Sequence, residues 1–310
     1  MNKLPMTLLA QIDDVAVFQT AALSNETVHG LDSSSESAAQ TTALQPGQAS
    51  YGELNLGLHV NDDAAKVLHN RMGLLSAINE SFMSLSSKIF QHTPIRRLHW
   101  VNQVHGRHIH DVDATALSMA PVAADAMVSQ QPGIGLAIMT ADCVPVVLYQ
   151  PATGQIAAIH AGWQGLACGV IKATVNRFDN TLPIKAWIGV CISQANYEVS
   201  VDVRDKLLAG CKENQALSAR ELDDFVALFS IPSSSSNTNS NDNEKVKLDL
   251  PKLAAMQLEA AGAMVMNELP VDCSYADSRC YSYRRQTHLQ QPATGRMALV
   301  IARNVQSHDK

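Results

Sequence analysis

The sequence predicts an α/β protein with a sheet-rich centre. Three observations carry this: short apolar runs with the length of buried strands, stretches of helical spacing between them, and no internal repeat of fixed period. With 310 residues, 46% hydrophobic and 17% charged, the chain has the apolar material for a large core and is far from a disordered composition.

The elements follow in order. Asn61 and Asp62 stand where a helix cap is needed, ahead of helical spacing over residues 63–78. A strand is expected over 98–105. Residues 134–140, 144–149 and 155–160 are apolar runs short enough to be strands buried on both faces, and helical spacing follows over 165–178. A strand over 185–190, helices over 201–209 and 249–261, and a buried strand over 296–302 complete the alternation.

Two stretches interrupt it. Residues 31–50 are rich in Ser, Ala, Thr and Gln, and residues 233–244 are dominated by Ser, Asn and Asp. Neither is flanked by a change of overall character, so both read as surface insertions into one domain spanning residues 1–310.

Net charge is -6 and the isoelectric point is near 6.0, which leaves no basic footprint for a nucleic acid or an anionic membrane surface. The longest apolar run, residues 133–149, contains Asp142 and is bounded by Pro132 and Gln150, so it reads as two strands and not a membrane span. The first fourteen residues show no long apolar region or small-residue cleavage site, and the six cysteines form no CxxC pair. Free thiols and a cytoplasmic location are expected.

Three segments place a metal-binding side chain at the end of an expected strand: His105 in NQVHG, Cys143 in TADCVP and His160 in AAIHAGW. Two imidazoles and one thiolate suit zinc, and three protein ligands with an open fourth position characterise a catalytic site. The spacings of 38 and 17 residues are not those of a local zinc motif. Two other readings therefore stand beside it. His105 and His160 could be hydrogen-bonded core histidines beside a small buried thiol. Alternatively, a cysteine hydrolase or metal-free binding protein would use Cys143 as nucleophile and His160 as its base. Context favours a site: Gly106 and Gly162 allow close backbone approach, and Asp142 is an acid inside an apolar segment.

Several strings, in order along the chain, carry a resemblance. They are SYGELNLGLHVNDDAAKVLHNR from Ser50, NQVHG, ADAMVS from Ala124, TADCVPVVLY, AAIHAGWQG, WIGVCISQANYEV from Trp187, LDL from Leu248 and YSYRR from Tyr281. Together they resemble the YfiH/YlmD family, formerly called laccase-domain or polyphenol oxidase proteins. Its members are regarded as zinc-dependent purine nucleoside phosphorylases that also deaminate adenosine. The resemblance implies an α/β/β/α sandwich with mixed sheets and a metal on His105, Cys143 and His160. It implies nucleoside or phosphate contacts at Asn55 and Arg71. The partners implied are purine nucleosides (adenosine, inosine, guanosine, methylthioadenosine) and phosphate.

Within that picture, Asp142 either moves protons or orients a ligand histidine, and Arg71, Arg284 and Arg285 are the cations available for phosphate. The chain departs from the family pattern at Gln19-Thr20 and at Gln164, where members commonly have Arg, and at Cys280, where they have an aromatic. The older family name suggests a copper-dependent polyphenol oxidase. Such enzymes need many clustered histidines, and only His108-Ile109-His110 has the H-x-H spacing. Copper remains an alternative metal, because it binds N/S sites more tightly than zinc.

Overall fold

The computed structural model of the protein describes residues 4–24, 47–85, 94–114, 121–233 and 244–305. Most of both interrupting stretches lies outside these residues, but their edges are anchored. Ser50 is buried and bridges to Thr294, and buried Ser233 donates through its amide to Lys245 O at 3.1 Å and through Oγ to Glu198 Oε2.

The centre is two mixed sheets packed face to face. Strands β1 (Met6–Ile12), β2 (Val15–Thr20), β3 (Arg97–His99), β6 (Ile134–Thr140) and β14 (Met297–Arg303) form a five-stranded sheet in the order β1-β2-β14-β6-β3. The second sheet takes β4 (Ile109–Asp111), β5 (Ala126–Ser129), β7 (Val144–Gln150), β8 (Gln155–Ala161), β9 (Ile184–Ile188) and β13 (Ala263–Val265) in the order β13-β9-β7-β8-β5-β4. Pairing is antiparallel except for β3 on β6, β4 on β5 and β13 on β9. A small antiparallel sheet, β10 (Glu198–Ser200), β12 (Lys245–Leu248) and β11 (Ser230–Pro232), stands apart.

Every residue of β6, β7 and β8 is buried, as expected of strands covered on both faces. Alternation divides their side chains between layers. Ile134, Leu136 and Ile138 meet Val147, Tyr149, Ile156 and Ala158 between the sheets. Ala137 packs outward against Leu74, Ile78 and Phe82 of the Ala64–Leu85 helix. Val146, Leu148, Ala157 and Ile159 pack on the other side against Val170, Ile171, Leu207, Leu253 and Leu258 from the opposite helical layer. Each of the Val, Leu, Ile and Phe side chains among them contributes about 1.5–3 kcal/mol on burial, so a one-residue slip of any central strand is excluded. The result is the expected α/β/β/α sandwich.

Three local expectations are corrected. The first helix is capped by Asp63, whose Oδ1 accepts from Ala65 N at 2.8 Å, and it runs on to Leu85. The span 165–178 is two short helices, Trp163–Ala167 and Val170–Val175, because Gly169 sits at φ +76°, a conformation that only glycine adopts cheaply. The strand over 98–105 stops at His99, and its last residues form a loop. β6 and β7 belong to different sheets, so the turn Ala141–Cys143 crosses the open end of the sandwich and carries the thiol there.

Candidate metal centre and its cavity

His105, Cys143 and His160 come together from three segments, with one donor atom from each lying within 4.8 Å of the others. Cys143 Sγ is 4.0 Å from His105 Nε2, and the two imidazole rings meet edge to face at 4.7 Å. His160 lies on β8, opposite Pro145 of β7, and is buried. His105 is not at a strand end: it is exposed and takes φ +61°, in the left-handed region unusual for a non-glycine residue.

Asp125 holds that loop in place. It precedes β5, is wholly buried, and its carboxylate gathers three donors. Oδ1 accepts from His105 N at 2.8 Å and pairs with His160 Nδ1 at 2.8 Å, while Oδ2 accepts from Gly106 N at 2.6 Å. One carboxylate thus fixes the backbone of one histidine and the ring of another, turning His160 Nε2 toward Cys143. Its signal in the sequence was an acid at the head of the apolar run AADAMVS.

Burial pushes the Cys143 thiol up, but the facing His160 and His105 imidazoles outweigh it and bring its pKa down to about 6. Burial pushes His160 down, yet Cys143 and Asp125 outweigh it and raise His160 to about 9. In a thiolate–imidazolium pair the thiolate is already free to bind a cation, and the imidazolium would give up its proton to solvent on doing so. Gly162 keeps the space between ligands open: a Cβ there would stand 3.0 Å from Cys143 Sγ and 3.4 Å from His105 Cδ2. In a tetrahedral zinc site the N···S edge is about 3.6 Å, so a small inward movement of these donors meets the requirement. The donor set therefore fits a metal ion.

The triad opens on a cavity of about 540 Å³ whose wall includes Trp163, Tyr197, Tyr283, His59, Arg284 and Arg296. That volume suits a small organic molecule, and the aromatic side chains offer faces for a planar ring. Gln164 is exposed and also lines it.

The other expected site residues are placed as follows. Asp142 is buried at φ +100°; its Oδ1 accepts from Ser274 Oγ at 2.7 Å and its Oδ2 from Arg284 N at 2.6 Å. It ties two segments to the cavity rim, and orientation of the ligand histidine falls to Asp125. Arg284 lines the cavity, with Nη1 donating to Glu198 O at 2.6 Å and the guanidinium over the Tyr197 ring.

Arg71, Arg285 and Asn55 lie off the cavity wall. Arg71 stacks on Trp100 and donates through Nε and Nη2 to Leu56 O at 3.0 and 2.8 Å, and burial takes its pKa down to about 10. Arg285 donates to the carbonyls of Ser274, Tyr275, Asp277 and Cys280. Asn55 is fully buried: its Oδ1 accepts from Gly57 N and Arg296 N, both at 2.9 Å, and its Nδ2 donates to Asp62 Oδ2. Gln19 and Thr20 are buried and bonded to β14, Gln19 Nε2 reaching Ala298 O and Thr20 Oγ1 accepting from Ala298 N.

Comparison with known proteins agrees with this geometry. The family described as multi-copper polyphenol oxidoreductase laccase matches residues 38–304. The purine nucleoside phosphorylase YfiH of Escherichia coli (strain K12) is 34% identical over 254 residues, covering 81% of this chain and 86% of that protein. A purine nucleoside phosphorylase of Pseudomonas aeruginosa is 31% identical over 259 residues, covering 82% and 87%. Among solved structures, the YfiH protein of Bacillus licheniformis superimposes with a TM-score of 0.67 at 24% identity, covering 97% of both chains. A Neisseria meningitidis protein gives 0.65 at 25% identity, covering 96% of this chain and 99% of that one. With a family match over most of its length, relatives above 30% identity and the same sandwich, the chain belongs to the YfiH family.

Proposed function

We propose that the protein is a zinc-dependent purine nucleoside phosphorylase that also deaminates adenosine. The observation that carries the reading is the meeting of His105, Cys143 and His160 at the wall of a cavity with aromatic and cationic sides. Relatives named for purine nucleoside phosphorylase activity support the reaction class. When bound, zinc supplies Lewis acidity at a position left open by only three protein ligands.

The chain's own residues do the rest. Trp163, Tyr197 and Tyr283 offer faces for the purine, and the cationic wall suits phosphate. In phosphorolysis the bond from C1′ of the ribose to N9 breaks, a phosphate oxygen bonds to C1′, and the departing base gains a proton. Deamination replaces the amino group at C6 with oxygen from water and releases ammonia. Asp142, with both carboxylate oxygens already engaged, holds the Tyr283–His288 helix and Ser274 at the rim, which keeps Arg284 and Tyr283 over the cavity.

Copper oxidase chemistry is the weaker reading. Among the described residues a single cluster of three or more His, Cys, Asp or Glu could hold a metal, whereas a multicopper site needs several. Incubation with adenosine, inosine and methylthioadenosine, with and without phosphate, followed by chromatography, tests the proposal. Free base and the corresponding sugar 1-phosphate should form only with phosphate, and inosine should form from adenosine without it. Absence of phosphate-dependent base release, or oxygen uptake with a phenol instead, would overturn it.

A further inference from the structure

An arginine grips phosphate most firmly with a pair of parallel donors, and the arginines near the cavity differ in what they have left to give. Arg71 spends Nε and Nη2, the edge that grips an oxyanion, on Leu56 O, and Arg285 spends its terminal nitrogens on four carbonyls. Arg296 is built the other way round. Its Nη1 donates to Thr294 O and Gly295 O, both at 3.0 Å, and Nε and Nη2 have no protein acceptor among the described residues. The far side of the guanidinium is locked and the gripping edge is left open.

The stem of Arg296 is fixed as firmly as its head. Its backbone N donates to Asn55 Oδ1, which also takes Gly57 N, so one buried amide sets both segments. Gly57 has no room for a side chain: a Cβ there would lie 2.8 Å from Arg296 Cγ. His59, two residues on, shares the cavity wall with Arg296, and Arg71 is close enough for both arginines to act on its charge. Burial, then Arg296, then Arg71 lower its pKa. Two guanidinium groups thus converge beside an imidazole that they and burial hold toward its neutral form; Cys143 and Asp142 also act on the charge of Arg296, but neither arginine forms an ion pair with a carboxylate among the described residues. Such a pole binds an anion with little rearrangement.

We infer that Arg296, positioned by Asn55 and Gly57 and flanked by His59, is the residue that grips inorganic phosphate in this cavity. The inference rests on the phosphorylase reading and deepens it: Asn55 acts through Arg296, and Arg71 and Arg285 are structural. Arg284 is the rival, since it shares the wall and its guanidinium sits over Tyr197.

The test uses the metal-loaded protein with inosine and inorganic phosphate. Arg296→Gln should raise KM for phosphate at least tenfold, about 1.4 kcal/mol, while KM for inosine changes less than threefold. Arg296→Lys, which keeps the charge without the fork, should fall between. Phosphate should also raise the wild-type melting temperature and fail to raise that of Arg296→Gln, a readout independent of turnover. Bound metal, measured in each variant, should stay at the wild-type level. An unchanged phosphate KM in both Arg296 variants, or the larger effect in Arg284→Gln, would overturn the inference while leaving the phosphorylase reading intact. Loss of metal in Arg296→Gln while phosphate still raises its melting temperature would overturn it too, making Arg296 a support for the Cys143 thiolate. A wild-type protein that neither binds phosphate nor releases base would instead sink the phosphorylase reading itself.

Discussion

Replacing Asp125 with Asn should loosen the metal centre without touching a ligand. In the protein, Oδ1 takes two donors, His105 N and His160 Nδ1, and Oδ2 takes Gly106 N at 2.6 Å. Asn offers one oxygen. Its best placement puts that oxygen at the Oδ1 position and turns the amide NH2 against the Gly106 N–H, donor against donor. One charge-assisted bond is lost in a fully buried place and one donor is stranded, which costs about 1–3 kcal/mol of stability. The loop that carries His105 then loses its anchor, and His160 loses the charge that helps hold it protonated in the metal-free protein. Removing such an outer partner of a ligand histidine typically weakens metal binding about 10- to 100-fold. The assay is zinc titration against a chromogenic chelator, with melting temperature measured in parallel on metal-free protein. Wild-type zinc affinity in Asp125→Asn would refute the reasoning, and a lower melting temperature alone would not rescue it.

Other outcomes follow from the same geometry. Gly162→Ala, at an ordinary φ of -67°, places a methyl 3.0 Å from Cys143 Sγ and should lower zinc affinity about tenfold while circular dichroism stays unchanged. In metal-free protein, thiolate absorbance should appear with a midpoint near pH 6 and be missing from Cys143→Ser; a midpoint near 9 would contradict the site's electrostatics. The signs are fixed. The lowered Cys143 pKa gives stability that is full above the unfolded thiol value and lost as pH falls through about 6; the raised His160 pKa gives stability full below its unfolded value and lost as pH rises through about 9. Deleting residues 234–243 should leave activity and melting temperature nearly unchanged. Pro232 already pairs with Val246 and Ser233 N reaches Lys245 O, so a short turn can close the hairpin.

The parts of the fold that were legible in the sequence are those where burial dictates composition. β6, β7 and β8 are covered on both faces and therefore read as unbroken apolar runs, and their bounds emerge almost residue for residue. The same composition hid which sheet each strand joins, because nothing local to Ala141–Cys143 says that the chain crosses the sandwich there. β1 has a mixed burial pattern, with Leu8 and Leu9 half exposed at a sheet edge, and gives no clean period. With 11 His and 6 Cys the residue types alone did not single out the metal centre; it was legible because Gly106 follows His105, Gly162 lies two past His160, Asp142 precedes Cys143 in an apolar segment, and the strings that carry the family resemblance hold all three residues. Asp125 and Arg296 were not. Each sits at the head of an apolar strand, where a charge reads as a solvated boundary, and each acts through contacts of 19 to 241 residues' separation. Asn55 and Arg71 were found through resemblance, and the structure gives them backbone partners in place of an open face.

Under the proposed function, turnover depends on one metal held by His105, Cys143 and His160. That dependence is tested most directly by adding zinc stepwise to metal-free protein and following phosphate-dependent release of hypoxanthine from inosine, with Cys143→Ser and His160→Ala run alongside. Activity should rise linearly and level off at one equivalent in the wild type, and stay flat in both variants although they remain folded. Full activity in the metal-free wild type, or wild-type turnover in either variant, would contradict the account.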